Sequence, residues 1–151
     1  MAMRFKFKFA TVLEVRKNKE REALRGFSDK QFKYKIELDK KEILRSQLQI
    51  SLGRREDLSN QTVAIEQYLT EQDFIMGTKH RLVQADQAIS RAKRDLEKFQ
   101  QVYLFCRKQT RMIEVLFEQA QAQFKKNALK RENRELDDFM IMRARLGQGA
   151  R

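Results

Sequence analysis

Residues 82–124 read LVQADQAISRAKRDLEKFQQVYLFCRKQTRMIEVLFEQAQAQF. Leu82, Ile89, Leu96, Tyr103, Thr110, Phe117 and Phe124 stand at every seventh position, and the series extends upstream to Ile75 and Tyr68. Three residues after most members come Ala85, Ala92, Phe99, Cys106, Ile113 and Ala120. Alternating three- and four-residue spacing is the a/d seam of a coiled coil. A straight helix drifts about 20° per heptad from such a repeat, so holding the seam implies a left-handed supercoil. Alanine at several d positions lets a neighbouring backbone come close.

The partner seam must come from upstream. Leu24, Phe27, Gln31, Tyr34, Leu38, Lys41, Arg45, Leu48 and Leu52 have the required spacing, and six of these nine are apolar. Between the two series lies GRREDLSNQT, residues 53–62, with Gly53, Ser59, Asn60 and Thr62 as turn or N-cap residues. Asn60 or Thr62 is placed to cap a second helix starting near Val63. A single interior turn makes the helices antiparallel neighbours. The expected fold is all-α, a long antiparallel two-helix coiled-coil hairpin in one domain. Helix one is expected over about 11–52, the turn over about 53–62 and helix two over about 63–146.

Composition agrees. The 151 residues include no proline and 5 glycines, and 36% are charged. Average usage would give about seven or eight prolines, so the chain has few turns to make. A mean hydropathy of -0.74 fits a narrow apolar seam with much solvated surface. The formal net charge of +12 favours acidic partners. Acids interrupt the basic runs, as in KNKERE and LKRENRELDD, which reads as a solvated helix face. The lone Cys106 allows no disulfide within the chain and fits a reducing compartment. The start lacks the apolar core of a signal peptide. The longest apolar run, VYLFC, is far short of the roughly 20 residues a membrane span needs. A cytoplasmic location is expected.

No enzyme is legible. His80 is the only histidine and Cys106 the only cysteine, so no metal-ligand cluster and no Cys/His arrangement for nucleophilic catalysis is expected. Cys106 falls on the d seam as a small core residue. Asp137 and Asp138 sit on a charged helix with no cleft. No cofactor and no small-molecule ligand is expected.

Two features exceed what a two-helix seam requires. Residues 4–9, RFKFKF, alternate with period two, yet no other segment offers a partner strand. Phe5, Phe7 and Phe9 are therefore either the end of the coiled coil or an arm that meets another protein. Thr11 and Glu14 have capping-box spacing, so the helix can start without the arm. Deleting residues 2–8 is expected to cost about 1–2 kcal/mol if one phenylalanine is packed. The second feature is Ile36, Ile43 and Ile50, a heptad stripe roughly opposite the first helix's seam, which marks either a docking surface or a wandering seam.

The chain resembles the flagellar FliJ family of the bacterial type III export apparatus. Its opening matches the pattern F-x-F-x-x-x-x-V-L-x-x-R-x-x-x-E at Phe5, Phe7, Val12, Leu13, Arg16 and Glu20. The run KKNALKRENRELDDFMIMR, residues 125–143, resembles the family's charged ending, with Phe139 following Leu136, Asp137 and Asp138 in place of the usual small or aliphatic residue. The resemblance covers nearly the whole chain and extends to the stalk proteins of virulence injectisomes. It implies a non-enzymatic export component, cytoplasmic and peripheral at the inner-membrane export apparatus, resembling the central stalk of rotary ATPases. The family's terminal end is thought to enter the hexameric export ATPase FliI, and its turn end to reach the export gate protein FlhA. Family members also escort export chaperones.

On that resemblance the ATPase-facing residues are Arg4, Phe5, Lys6, Phe7, Lys8, Phe9, Lys125, Lys126, Lys130 and Arg131. The gate-facing residues fall on Leu44, Gln47, Leu69, Met76 and His80, beside the stripe of Ile36, Ile43 and Ile50. Asp73 stands where the family can carry an apolar residue. A basic coiled-coil nucleic-acid binder is the rival reading, disfavoured because acids break every basic run and the turn makes an intrachain hairpin. A purely structural coiled coil is the other. A monomer or weak self-association is expected, since the seams pair within the chain.

Overall fold

A computed structural model describes residues 4–62 and 65–148, apart from the side chain of Gln148. Two helices account for it: α1 (Ala10–Ser59) and α2 (Ile65–Gln148), with no strand among the described residues. The fold is the antiparallel two-helix hairpin that the heptads predict. The chain divides into two compact units. One is Arg21–Phe105; the other comprises the described residues up to Glu20 and those from Cys106 on.

In the unit Arg21–Phe105 the pairing is antiparallel: Lys30 meets Asp95, Lys41 meets Asp86 and Arg55 meets Gln72. Its most deeply buried residues are Ile75, Thr78, Ser51 and Ala85. Thr78 donates its hydroxyl to the Phe74 carbonyl at 2.8 Å, so its burial leaves no unmet donor. On α2 the covered positions include Ile75, Leu82, Ala85, Ile89, Ala92, Leu96 and Tyr103, as the repeat predicts, while Tyr68 and Phe99 of the same series are more than a third exposed.

On α1 half of the seam differs from expectation. Phe27, Tyr34, Lys41 and Leu48 are covered, but their seam companions are Ala23, Lys30, Glu37, Leu44 and Ser51. Leu24, Gln31, Leu38 and Arg45, one residue further on, are exposed. The physical reason lies in long side chains. Lys30 and Lys41 lay their aliphatic stems on the interface while their ammonium groups reach Asp95 and Asp86 on α2. Covered lysines and a buried serine hide the seam from a reading by apolarity.

Gly26 has a packing role. A Cβ there would lie 2.9 Å from the ring of Phe99, well inside van der Waals contact. Around this close approach Phe27 stacks on Tyr103 at 6.0 Å, and the Lys30 ammonium sits 5.0 Å above Phe99. In isolation Gly→Ala in a helix gains about 1 kcal/mol. We expect Gly26→Ala to give that gain only in a Phe99→Ala background, and to be neutral or destabilising with Phe99 present. Equal melting shifts in the two backgrounds would show that the ring does not need the glycine.

α1 runs through Gly53 to Ser59, beyond the expected limit near Leu52. A Cβ at Gly53 would meet nothing within 4 Å, so this glycine serves no close approach. Half-buried Leu58 and the Arg55–Gln72 hydrogen bond of 3.0 Å hold the last turns to α2. The helix closes with Ser59 Oγ on the Glu56 carbonyl at 2.7 Å and Asn60 N–H on the Asp57 carbonyl at 3.2 Å. Val63, the expected start of helix two, lies outside the described residues.

In the unit formed by the two ends, Thr110 is 2% exposed, and its hydroxyl lies 3.1 Å from the Cys106 carbonyl and 3.3 Å from that of Arg16 on α1. Lys17 and Glu114 pair at 3.7 Å, and Glu114 also meets Arg111. α1 begins at Ala10, with the Leu13 N–H on the Phe9 carbonyl at 2.9 Å. Thr11 therefore lies inside the first turn and does not frame the helix start as a capping box would. Cys106 is half-buried and free. Residues 131–147 of α2 are exposed all round. No helix among the described residues is long and apolar enough to cross a membrane.

Candidate functional site

The chain offers two candidate partner surfaces, one in each unit. The first is built where the N-terminal arm meets α2. Residues 4–7 are neither helix nor strand, and their alternation takes effect without a sheet. Phe5 and Phe7 are half-buried while Lys6 and Lys8 stay exposed. Phe5 packs on Phe117 at 5.6 Å and on Phe124 at 5.4 Å; Phe7 meets Phe117 edge-on at 5.1 Å. Phe117 and Phe124 are a positions of the α2 seam, so the arm covers that seam where α1 has not yet begun. Phe9 stands 5.8 Å from Phe7, remains 42% exposed and carries the Lys8 ammonium at 5.8 Å.

Of the ten residues expected on this surface, Phe5 and Phe7 thus spend much of their apolar area inside the chain. Arg4, Lys6, Lys8 and Phe9 are exposed, as are Lys125, Lys126, Lys130 and Arg131 on α2. Nearby, the Arg111 guanidinium is raised above its ordinary pKa, first by its hydrogen bond to Glu118, then by that carboxylate's charge and by Glu114. The apolarity continues past the expected set: Leu129, Leu136, Phe139, Met140, Ile141, Met142 and Leu146 are all more than half exposed. A signal for this was present in FMIM at residues 139–142, since four consecutive apolar residues cannot all face one side of a helix.

The second surface belongs to the unit Arg21–Phe105. Ile43 and Ile50 are exposed to 58% and 56%, so the stripe faces outward at these two positions; Ile36 is half-covered. Leu69, Met76, Gln47 and His80 are also exposed, with the His80 ring 3.1 Å from the Gln84 amide. Leu44 is different. It occupies the α1 seam and is half-buried, so it supports the surface from beneath. Met76 follows fully buried Ile75, which fixes the turn of helix that presents it.

The family model described as Flagellar FliJ protein matches residues 5–149, nearly the entire chain. No curated protein and no solved structure shows significant similarity.

Proposed function

The chain belongs to the FliJ family of flagellar export proteins, and on that premise we propose that it is a stalk-like adaptor with a different partner at each unit. The family makes it a coiled-coil component of flagellar protein export, non-enzymatic in role, with partners in the export apparatus. The finer reading is that the unit of the two ends binds the hexameric export ATPase. The turn-containing unit binds the membrane export gate, and the protein escorts export chaperones at the cytoplasmic face of the inner membrane.

The observation that carries this is the distribution of charge. Residues 1–20 and 106–151 hold 17 of the 33 basic residues but only 8 of the 21 acidic ones, which places nine of the twelve net positive charges in one unit. The same unit carries exposed Phe9, with the Lys8 ammonium over its ring, and the bare apolar residues of α2. Such a surface suits an acidic ring with an apolar lining, held by attraction that salt weakens. Reversing Lys125, Lys126 and Lys130 to glutamate is expected to abolish most stimulation of the ATPase at low salt while leaving the melt unchanged. Undiminished stimulation would remove α2's basic run from the interface.

For the other unit, Ile43→Ser with Ile50→Ser is expected to change stability by no more than about 1 kcal/mol, about 0.5 for each exposed position. The same pair should weaken binding to the gate's cytoplasmic domain. A melt that falls by many degrees would place the stripe in a core; intact gate binding would take it out of the interface.

A further inference from the structure

We propose that the outer face of α2 in the unit Arg21–Phe105 is a second docking surface, which takes an acidic amphipathic helix of a partner protein. Val83, Gln87, Arg91, Arg94, Lys98, Val102 and Phe105 follow one another at three- and four-residue steps, which puts them on one face of the helix. All seven are exposed. The face lies away from the a/d seam and shares no residue with the Ile36, Ile43 and Ile50 stripe. A furrow of about 430 Å³ opens at its start, lined by Val83, Asp86, Gln87, Ser90, Arg91 and Arg94.

Charge identifies the occupant. Two of the three carboxylates on this stretch are turned to α1, Asp86 pairing with Lys41 and Asp95 with Lys30; the third, Glu97, is exposed beside Lys98. Among the described residues Arg91, Arg94 and Lys98 have no ion pair or hydrogen bond. Three cations, against the single exposed carboxylate of Glu97, stand in line with Val83 at one end and Val102 and Phe105 at the other. Val83 is 56%, Val102 55% and Phe105 60% exposed, and nothing in the chain's own seam requires them to be apolar. A helix laid along this face would seat apolar residues at its ends and carboxylates in its middle turns, with anchors at helical spacing. Arginine suits the middle because its fork receives a carboxylate with two hydrogen bonds.

The test uses the full-length chain and a fluorescein-labelled synthetic helix of about three heptads, with leucines at its end turns and glutamates in its middle turns. Anisotropy should show saturable binding that weakens as salt rises. Reversing Arg91, Arg94 and Lys98 to glutamate should weaken it at least about tenfold, and so should Phe105→Ser, with melts unchanged. Reversing Lys33, Lys35 and Lys93, an equal change of charge in the same unit but off this face, should leave the affinity within about twofold. The proposal fails if the peptide does not bind, if the two triple reversals act alike, or if a lysine-for-glutamate peptide binds equally well. It also fails if duplex DNA or anionic vesicles displace the peptide through these residues. Sedimentation showing a dimer of the chain that Phe105→Ser dissolves would assign the face to a second copy instead. None of these readouts involves the ATPase or the gate, so the adaptor reading and this one stand or fall separately.

Discussion

Replacing Phe5 and Phe7 together with alanine is expected to destabilise the unit of the two ends by about 2–4 kcal/mol. A fully buried phenylalanine side chain contributes about 1.5–3 kcal/mol, and each of these is half-covered. The edge-to-face and tilted contacts with Phe117 and Phe124 add to the burial term. The loss exceeds what one packed ring would give, because both rings land on the α2 seam. It should also be local. Ala10–Glu20 of α1 and the α2 turns around Phe117 should lose hydrogen-exchange protection, while Arg21–Phe105 keeps its own, since stability is not uniform along a chain. Lys6→Gln with Lys8→Gln supplies the contrast. Both are exposed, so the fold should be indifferent to them while attraction to an acidic partner falls. Unchanged exchange after the double alanine substitution would show that the arm does not hold the seam.

The arm also shows where sequence reasoning stops. Its alternation was legible, and so was the lack of a partner strand. Its landing place was not, because period two says which residues share a face and nothing about what that face meets. Most of the α2 seam was legible, since its a and d residues are nearly all apolar and a seven-residue period stands out from noise; Tyr68 and Phe99 of that series are exposed, and polar Thr78, which the apolar series passes over, is fully buried. Only half of the α1 seam was. There Lys30, Glu37 and Ser51 occupy covered positions while Leu24 and Leu38 stand one residue outside. A lysine that buries its stem and pairs across the interface counts as polar on any scale. Its carboxylate partners, Asp95 and Asp86, lie more than forty residues away in the sequence. Pairing the two helices in antiparallel register and requiring each interface cation to meet an acid would have found the shift. The same bookkeeping reveals the cations left over at Arg91, Arg94 and Lys98. The outward isoleucines were legible because Ile43 and Ile50 follow the period without serving the seam.

Ile75→Ala should have the largest effect of any single substitution in the turn-containing unit. Ile75 is 0% exposed and is the largest apolar side chain so completely enclosed among the described residues. Truncating a fully buried isoleucine to alanine costs about 2–5 kcal/mol: the lost transfer energy plus the cavity left behind. The upper half of that range is expected here, because a two-helix seam has no third layer to collapse into the void, and the neighbouring buried groups, Thr78 and Ser51, are small and polar. Ile75 also orients Met76, which is 58% exposed on the proposed gate-facing surface. The two neighbours therefore separate support from contact. Met76→Ser should weaken gate binding with the melt almost unmoved. Ile75→Ala should lower the melt steeply and weaken gate binding only as far as the turn that carries Met76 loosens, so that Ile75→Val, which removes one methyl group at a cost of about 0.5–1.5 kcal/mol, restores nearly all of the binding. If Ile75→Ala melts like the native chain, the seam does not close at that layer. If Ile75→Val binds the gate as poorly as Ile75→Ala, the isoleucine touches the partner itself, and its enclosure in the free chain must open on docking.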